Sequence, residues 1–231
     1  RLIEFGEVPE FEEKISGKGT WISIFPEYVI KSYALEPTLL SPEEQHARFM
    51  REVQAYHLFA ELKCPYVPAL IDHSIEERWL CIQRVAGSSV IALCESNSAD
   101  LKTAEFIPRL SALGEWLAVH DIVVPGANIK DLILDKSGKL YLVDFEEFRS
   151  GVPADPIAIY ESVIGDIVER IFVRKGRSAR LTPAFLRLAW ALFASAPEIY
   201  ARSFKTRVIG YHRNRLRILQ SRIKRIILGP N

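Results

Sequence analysis

The sequence predicts an α+β fold built as two lobes, β-rich and then mostly helical. Three observations carry the prediction. Short alternating apolar runs fill the first third; the apolar spacing turns helical after Ala86-Gly87-Ser88; and one strand–turn–strand unit, Lys130 to Asp144, interrupts the helical part.

In chain order, Gly17-Lys-Gly19 reads as a turn opening a strand at Trp21–Phe25, with a second strand at Tyr28–Tyr33. Ser41-Pro42-Glu43-Glu44 reads as a helix start. A capping serine, a proline in the first turn and two acids near the positive end all favour it. Phe49, Val53, Tyr56 and Ala60 then recur at helical spacing. Val67–Ile71 and Trp79–Ile82 read as two more strands, with a hinge near Gln83–Gly87. Beyond it, Phe106–His120 has a helical stripe of Leu110, Leu113 and Leu117, on which His120 reads as a packed core residue. After Arg149-Ser-Gly-Val-Pro153 helices are predicted over Ile157–Val173, Pro183–Ala194 and Tyr211–Leu228. The expected division is 1–86 for the first lobe and 87–231 for the second.

The chain has 231 residues, 48% hydrophobic and 26% charged, which is ordinary for a globular protein. A net charge of +1 gives no general attraction to nucleic acid. Cys64, Cys81 and Cys94 are odd in number and lack ligand spacing, so a disulfide framework is not expected and a reducing compartment is. No apolar run is long enough to span a bilayer and no leader pattern opens the chain, so cytoplasm is the expectation. The charge is uneven: from Arg202 onward there are nine Lys/Arg and no acid.

The hairpin holds the strongest signal. Thirteen residues separate Asp131 from Asp144, and Gly138-Lys-Leu-Tyr-Leu-Val143 leads an apolar strand straight into Asp144-Phe145-Glu146. A carboxylate at the end of a short rigid strand suits a divalent cation that holds phosphates. Upstream, Val29-Ile30-Lys31 puts an ammonium at the end of an apolar strand, and Arg51-Glu52-Val53 puts a carboxylate mid-helix. Taken singly, Lys31 is also an edge-strand lysine, Glu52 a solvated charge and Gly17-x-Gly19 a plain hairpin turn.

In order and spacing, these elements resemble the protein kinase-like fold. The likeness in compactness is to small bacterial and atypical kinases, such as RIO-type and lipopolysaccharide-core sugar kinases. The resemblance implies a phosphate-cradling loop at Gly17 and Gly19, a phosphate-holding lysine at Lys31 and its orienting partner at Glu52. It implies adenine contacts at Ile82, Gln83 and Val85, and Mg²⁺ ligands at Asp131 and Asp144. Glu146 stands where the family usually has glycine, a replacement common among its small-molecule kinases. Aligned without a gap, Val124-Pro125-Gly126 occupies the catalytic triplet, so Gly126 stands where the family's catalytic Asp belongs. Asp131 replaces the metal-binding Asn. The implied function is ATP- and Mg²⁺-dependent phosphoryl transfer to a hydroxyl of a sugar, glycolipid or protein. The alternative is a pseudokinase retained as a binding or regulatory module.

The predicted helix Tyr211–Leu228 puts Leu216, Leu219, Ile223 and Ile226 on one face and basic residues largely elsewhere. That pattern suits an anionic membrane surface, which implies peripheral association at the inner face, or docking on the protein's own acidic body. Nucleic acid is the less favoured partner, because no aromatic residues interleave the charges.

Overall fold

The structure, a computed structural model, describes residues 13–16, 19–33, 40–173 and 181–211. Gly17 and the predicted helix beyond Tyr211 lie outside the described residues. The chain divides into two compact units. The first comprises residues up to Gly87 together with Ile133–Val152; the second comprises Ser88–Leu132 and the residues from Pro153 onward. This departs from the two contiguous lobes expected from sequence, because the segment after Leu132 returns to the first unit. The cause is an apolar one: Phe145 packs on Tyr56 and Phe59, with ring centroids 5.2 and 4.9 Å away.

In the first unit, β1 (Glu13–Ser16), β2 (Thr20–Ile24), β3 (Tyr28–Tyr33), β4 (Leu70–Ser74) and β5 (Trp79–Gln83) form an antiparallel sheet in the order β1-β2-β3-β5-β4. Lys31 on β3 stands opposite Ile22 on one side and Leu80 on the other, so it is on a central strand. Strand β4 begins three residues later than the sequence suggests. Pro68 has no N–H to give a ladder, and pairing starts only once it is passed.

Helix α1 (Pro42–Glu61) begins as predicted, with the Ser41 hydroxyl accepting from the Glu44 N–H at 3.2 Å. It buries Phe49, Val53, Tyr56 and Phe59. Beyond β5 the chain forms β6 (Gly87–Ser89), α2 (Val90–Glu95), α3 (Thr103–Val119) and β7 (Ile122–Val123). The hairpin follows as β8 (Leu132–Asp135) and β9 (Leu140–Leu142), turned by Asp135, whose carboxylate accepts from the N–H groups of Ser137 and Lys139 at 2.8 Å each. Gly87 is obligatory here: a Cβ would lie 2.1 Å from the Leu134 carbonyl oxygen.

The second unit continues, after β10 (Arg149–Ser150), with α4 (Ala158–Phe172), α5 (Pro183–Ser195), α6 (Pro197–Ser203) and a π-helical turn at Phe204–Ile209. Its core joins Phe106, Leu110 and Leu113 of α3 with Val163, Ile164 and Ile167 of α4 and Phe185, Leu188 and Leu192 of α5. His120 is not in that core. It closes α3, half-buried, stacked on Trp116 at 4.0 Å, with Nδ1 2.8 Å from the Trp116 carbonyl.

Candidate active site

Alternation along β3 turns Lys31 and Tyr33 to the same, buried face, and Lys31 is only 7% exposed. A buried ammonium must be paired. Lys31 Nζ meets three carboxylates: Glu52 at 2.8 Å, Asp144 at 2.9 Å and Glu146 at 3.1 Å. All four residues belong to the first unit, so the structure brings Lys31, Glu52 and Asp144 together.

Three side chains that sequence reasoning left out of the site tie it down. The Tyr33 hydroxyl lies between Glu52 and Glu146, and its single proton can serve one carboxylate at a time. Arg48 Nη1 reaches Glu146 Oε2 at 3.1 Å, and Arg51 Nε donates to the Glu146 carbonyl at 2.7 Å. Arg48, Arg51 and Glu52 share a helix face at spacings of three and four, which is the signal in the sequence that could have joined them. The signal for Tyr33 was its position two residues after Lys31. Glu146 was read only as the third letter of Asp144-Phe145-Glu146.

Burial pulls the Lys31 ammonium toward losing its proton, but Glu52, Tyr33, Asp144 and Glu146 more than offset this and hold its pKa well above the usual lysine value. Burial pushes Glu52 upward, offset in part by Lys31. The ammonium at 2.8 Å and the Phe145 N–H pointing at Oε1 from 3.4 Å are the partners of an ionised carboxylate, and the ion pair is the state this geometry supports. Burial, and then Glu52, raise the Tyr33 phenol well above its usual value, so it stays a neutral donor.

Asp144 has a backbone φ of 73°, in the left-handed region that an aspartate enters at a cost of about 1–2 kcal/mol. Its side chain keeps one third of its surface exposed. The carboxylates of Glu52, Asp144 and Glu146 each offer an oxygen within 4.8 Å of the others. The Lys31 ammonium takes the centre of this set, so Asp144, the most exposed of the three, is the carboxylate that fits Mg²⁺, a hard cation that takes oxygen donors.

The other predicted residues are placed as follows. Gly19 is buried at the start of β2 with φ 80°. Ile82 is buried on β5, and the Gln83 and Arg84 N–H groups are committed to the carbonyls of Ala69 and Glu27 at 2.8 and 2.9 Å. Gln83, Arg84 and Val85 border a cavity of about 280 Å³, together with Lys136, Ser137 and Tyr141 of the hairpin. Asp131 belongs to the second unit. It is buried and accepts from the Asn128 N–H at 3.1 Å, with Lys130 Nζ 3.2 Å away. Its pairing with Asp144 over one metal ion therefore rests on the sequence alone. Gly126, also in the second unit, has φ 77° and accepts from Asn128 Nδ2 at 3.2 Å.

No protein-family profile and no curated protein sequence matches this chain. Solved structures do match it in fold. A bifunctional kinase-methyltransferase, WbdD, aligns at a TM-score of 0.56 with 15% identity, over 81% of this chain and 47% of that one. Another crystal structure of WbdD aligns at 0.55 with 14% identity, over 81% and 46%. WbdD in complex with the kinase inhibitor LY294002 aligns at 0.53 with 16% identity, over 81% and 45%. The alignments thus span about half the length of those chains. At this identity the likeness establishes the architecture: the chain has the α+β, bilobal protein kinase-like fold.

Proposed function

We propose that the chain binds ATP with Mg²⁺ and transfers a phosphoryl group to a hydroxyl of a sugar, a glycolipid or a protein. The observation that carries this reading is the buried Lys31 ammonium held between Glu52 and Asp144. Lys31 would hold phosphate oxygens, Glu52 would keep Lys31 in place, and Asp144 would hold the metal. The metal would neutralise charge on the phosphates, which is most of what phosphoryl transfer through a loose transition state needs. Val85 would supply the backbone N–H to a purine, since those of Gln83 and Arg84 are already engaged. The fold likeness to a kinase-methyltransferase, and the kinase inhibitor bound to one such neighbour, support a nucleotide as ligand.

One residue favours the second reading, a pseudokinase. Gly126 stands where the family's catalytic Asp belongs, and a glycine can neither accept nor orient a hydroxyl proton. General-base help is worth roughly 10²–10⁴-fold in rate. Its loss leaves nucleotide binding intact.

A thermal-shift titration with ATP, with and without Mg²⁺, tests the shared part. The melting temperature should rise for the wild type and fail to rise for Lys31→Ala. No rise for the wild type would sink both readings. Radiolabelled transfer from ATP to sugar and protein acceptors then separates them: transfer marks a kinase, and binding without transfer marks a pseudokinase. Gly126→Asp should gain turnover in the second case. Its left-handed φ makes that substitution cost about 1–2 kcal/mol, so the variant's melting temperature must be checked first.

A further inference from the structure

Helix α5 presents a face that the described residues of the second unit do not cover. Trp190 is 76% exposed and Leu186, one turn earlier, 48%; Leu181, just before the helix, is 49% exposed. Among the described residues no large apolar residue except Val119 exposes more of itself than Trp190, and a tryptophan left in water forgoes about 2–3 kcal/mol of burial. Arg187 is exposed on the same helix, between Leu186 and Leu188. The residues joined directly to Leu181, Arg174-Lys-Gly-Arg-Ser-Ala-Arg180, carry four positive charges and no acid.

The charge of the whole carboxy-terminal quarter has the same sign. Residues 174–231 hold fourteen Lys/Arg and a single acid, Glu198, while the preceding residues hold sixteen basic and twenty-eight acidic side chains. A net charge of +1 for the chain conceals this segregation.

We infer that the exposed Leu186–Trp190 strip of α5 docks on an anionic phospholipid surface. Two features select this occupant. Arg187 beside the apolar strip, and the four positive charges that the sequence joins directly to Leu181, call for a negative partner, which disfavours the chain's own tail after Tyr211, itself basic. The leucines beside the tryptophan call for an apolar layer beneath that negative charge, and a nucleic acid backbone offers none. Basic side chains meeting headgroups while tryptophan and leucine enter the acyl boundary is how interfacial proteins hold to membranes. The docking surface is independent of the phosphotransfer reading, and either can fail without the other.

The experiment uses the full chain with sedimenting vesicles of phosphatidylcholine alone and of phosphatidylcholine mixed with the anionic phosphatidylglycerol. Binding to the anionic vesicles only is expected. The double variant Leu186→Ser, Trp190→Ser should bind about tenfold more weakly or worse, whereas its nucleotide-induced thermal shift should equal the wild type's. Vesicles of brominated lipid should quench the emission lost in the Trp190→Ser variant. Absence of binding to anionic vesicles overturns the proposal. So does unchanged binding of the double variant, which would assign the interaction to the basic tail alone, or preferential binding to single-stranded RNA over vesicles.

Discussion

Lys31 has three carboxylates for one ammonium, and that imbalance decides what its replacement does. In Lys31→Met, Glu52 is left buried next to Asp144 and Glu146 without the ammonium that faces all three. Urea unfolding should show a loss of about 3–5 kcal/mol. A loss below about 1 kcal/mol would mean the four side chains do not cluster in solution. Tyr33→Phe removes the hydroxyl between Glu52 and Glu146 and should cost about 1.5–3 kcal/mol by the same measurement. Glu146 competes with nucleotide for Lys31 while adding a charge that phosphates repel. Under the phosphotransfer reading, Glu146→Gln should tighten ATP–Mg²⁺ binding about fivefold by calorimetry. Weaker binding would instead make Glu146 a ligand of the metal. Lys31, Glu52 and Asp144 were legible in the sequence because each sits at a fixed place in an ordered series of elements. Tyr33, Arg48 and Arg51 were not, since only the packed sheet and helix show which of many same-face residues converge.

At the scale of the element, α1 does several jobs on one face. Arg48 and Arg51 hold Glu146, Glu52 holds Lys31, and Tyr56 supports Phe145. The Tyr56 hydroxyl is buried and has no hydrogen-bond partner among the described residues. Tyr56→Phe should therefore leave stability unchanged or raise it by up to about 1 kcal/mol, as read from the urea midpoint. The start of α1 was readable because its cap is local chemistry. Among the elements not foreseen are three helical ones. Helix α2 is a single six-residue piece, too short to show a period, and α6 runs straight into the π-helical turn that carries Arg207. That arginine lies over Gly165, where a Cβ would come within 2.5 Å of its Nε, and pairs with Glu169 at 3.0 Å. Contacts between α4 and a segment some forty residues later leave no trace in local spacing.

For the whole molecule, the burial of proton-bearing groups fixes the direction of its pH dependence. Burial raises the Cys94 thiol to about 12 and those of Cys64 and Cys81 to about 11; burial and Glu52 raise Tyr33, and Lys31 is raised by its carboxylates against the pull of burial. A group whose folded pKa exceeds its unfolded value stabilises fully below the unfolded value and loses that contribution as pH climbs through the folded one. Here the unfolded values begin near 9, so the urea midpoint should hold to about pH 8.5 and fall steadily toward pH 11. Cys94→Ala should flatten part of that fall. A midpoint independent of pH over this range would show that these groups are open to solvent. The fold class was legible at this scale because the switch from strand to helix spacing is a property of long stretches. The return of Ile133–Val152 to the first unit was not, because nothing in the hairpin's own letters names its packing partners.

That return has a consequence for how the chain is made. A ribosome releases β1 to β5 and α1 first, yet Phe145 and Asp144 belong to the same unit and emerge only after Ser88–Leu132 has been translated. At typical elongation speeds the span from Ser88 to Val152 takes about 3–13 s. Throughout that delay the nascent amino-terminal half exposes Tyr56 and Phe59 without their lid and keeps Lys31 beside Glu52 without its second counterion. The unit becomes complete only when residue 152 has left the exit tunnel, so a chain stalled earlier is a natural client for chaperones.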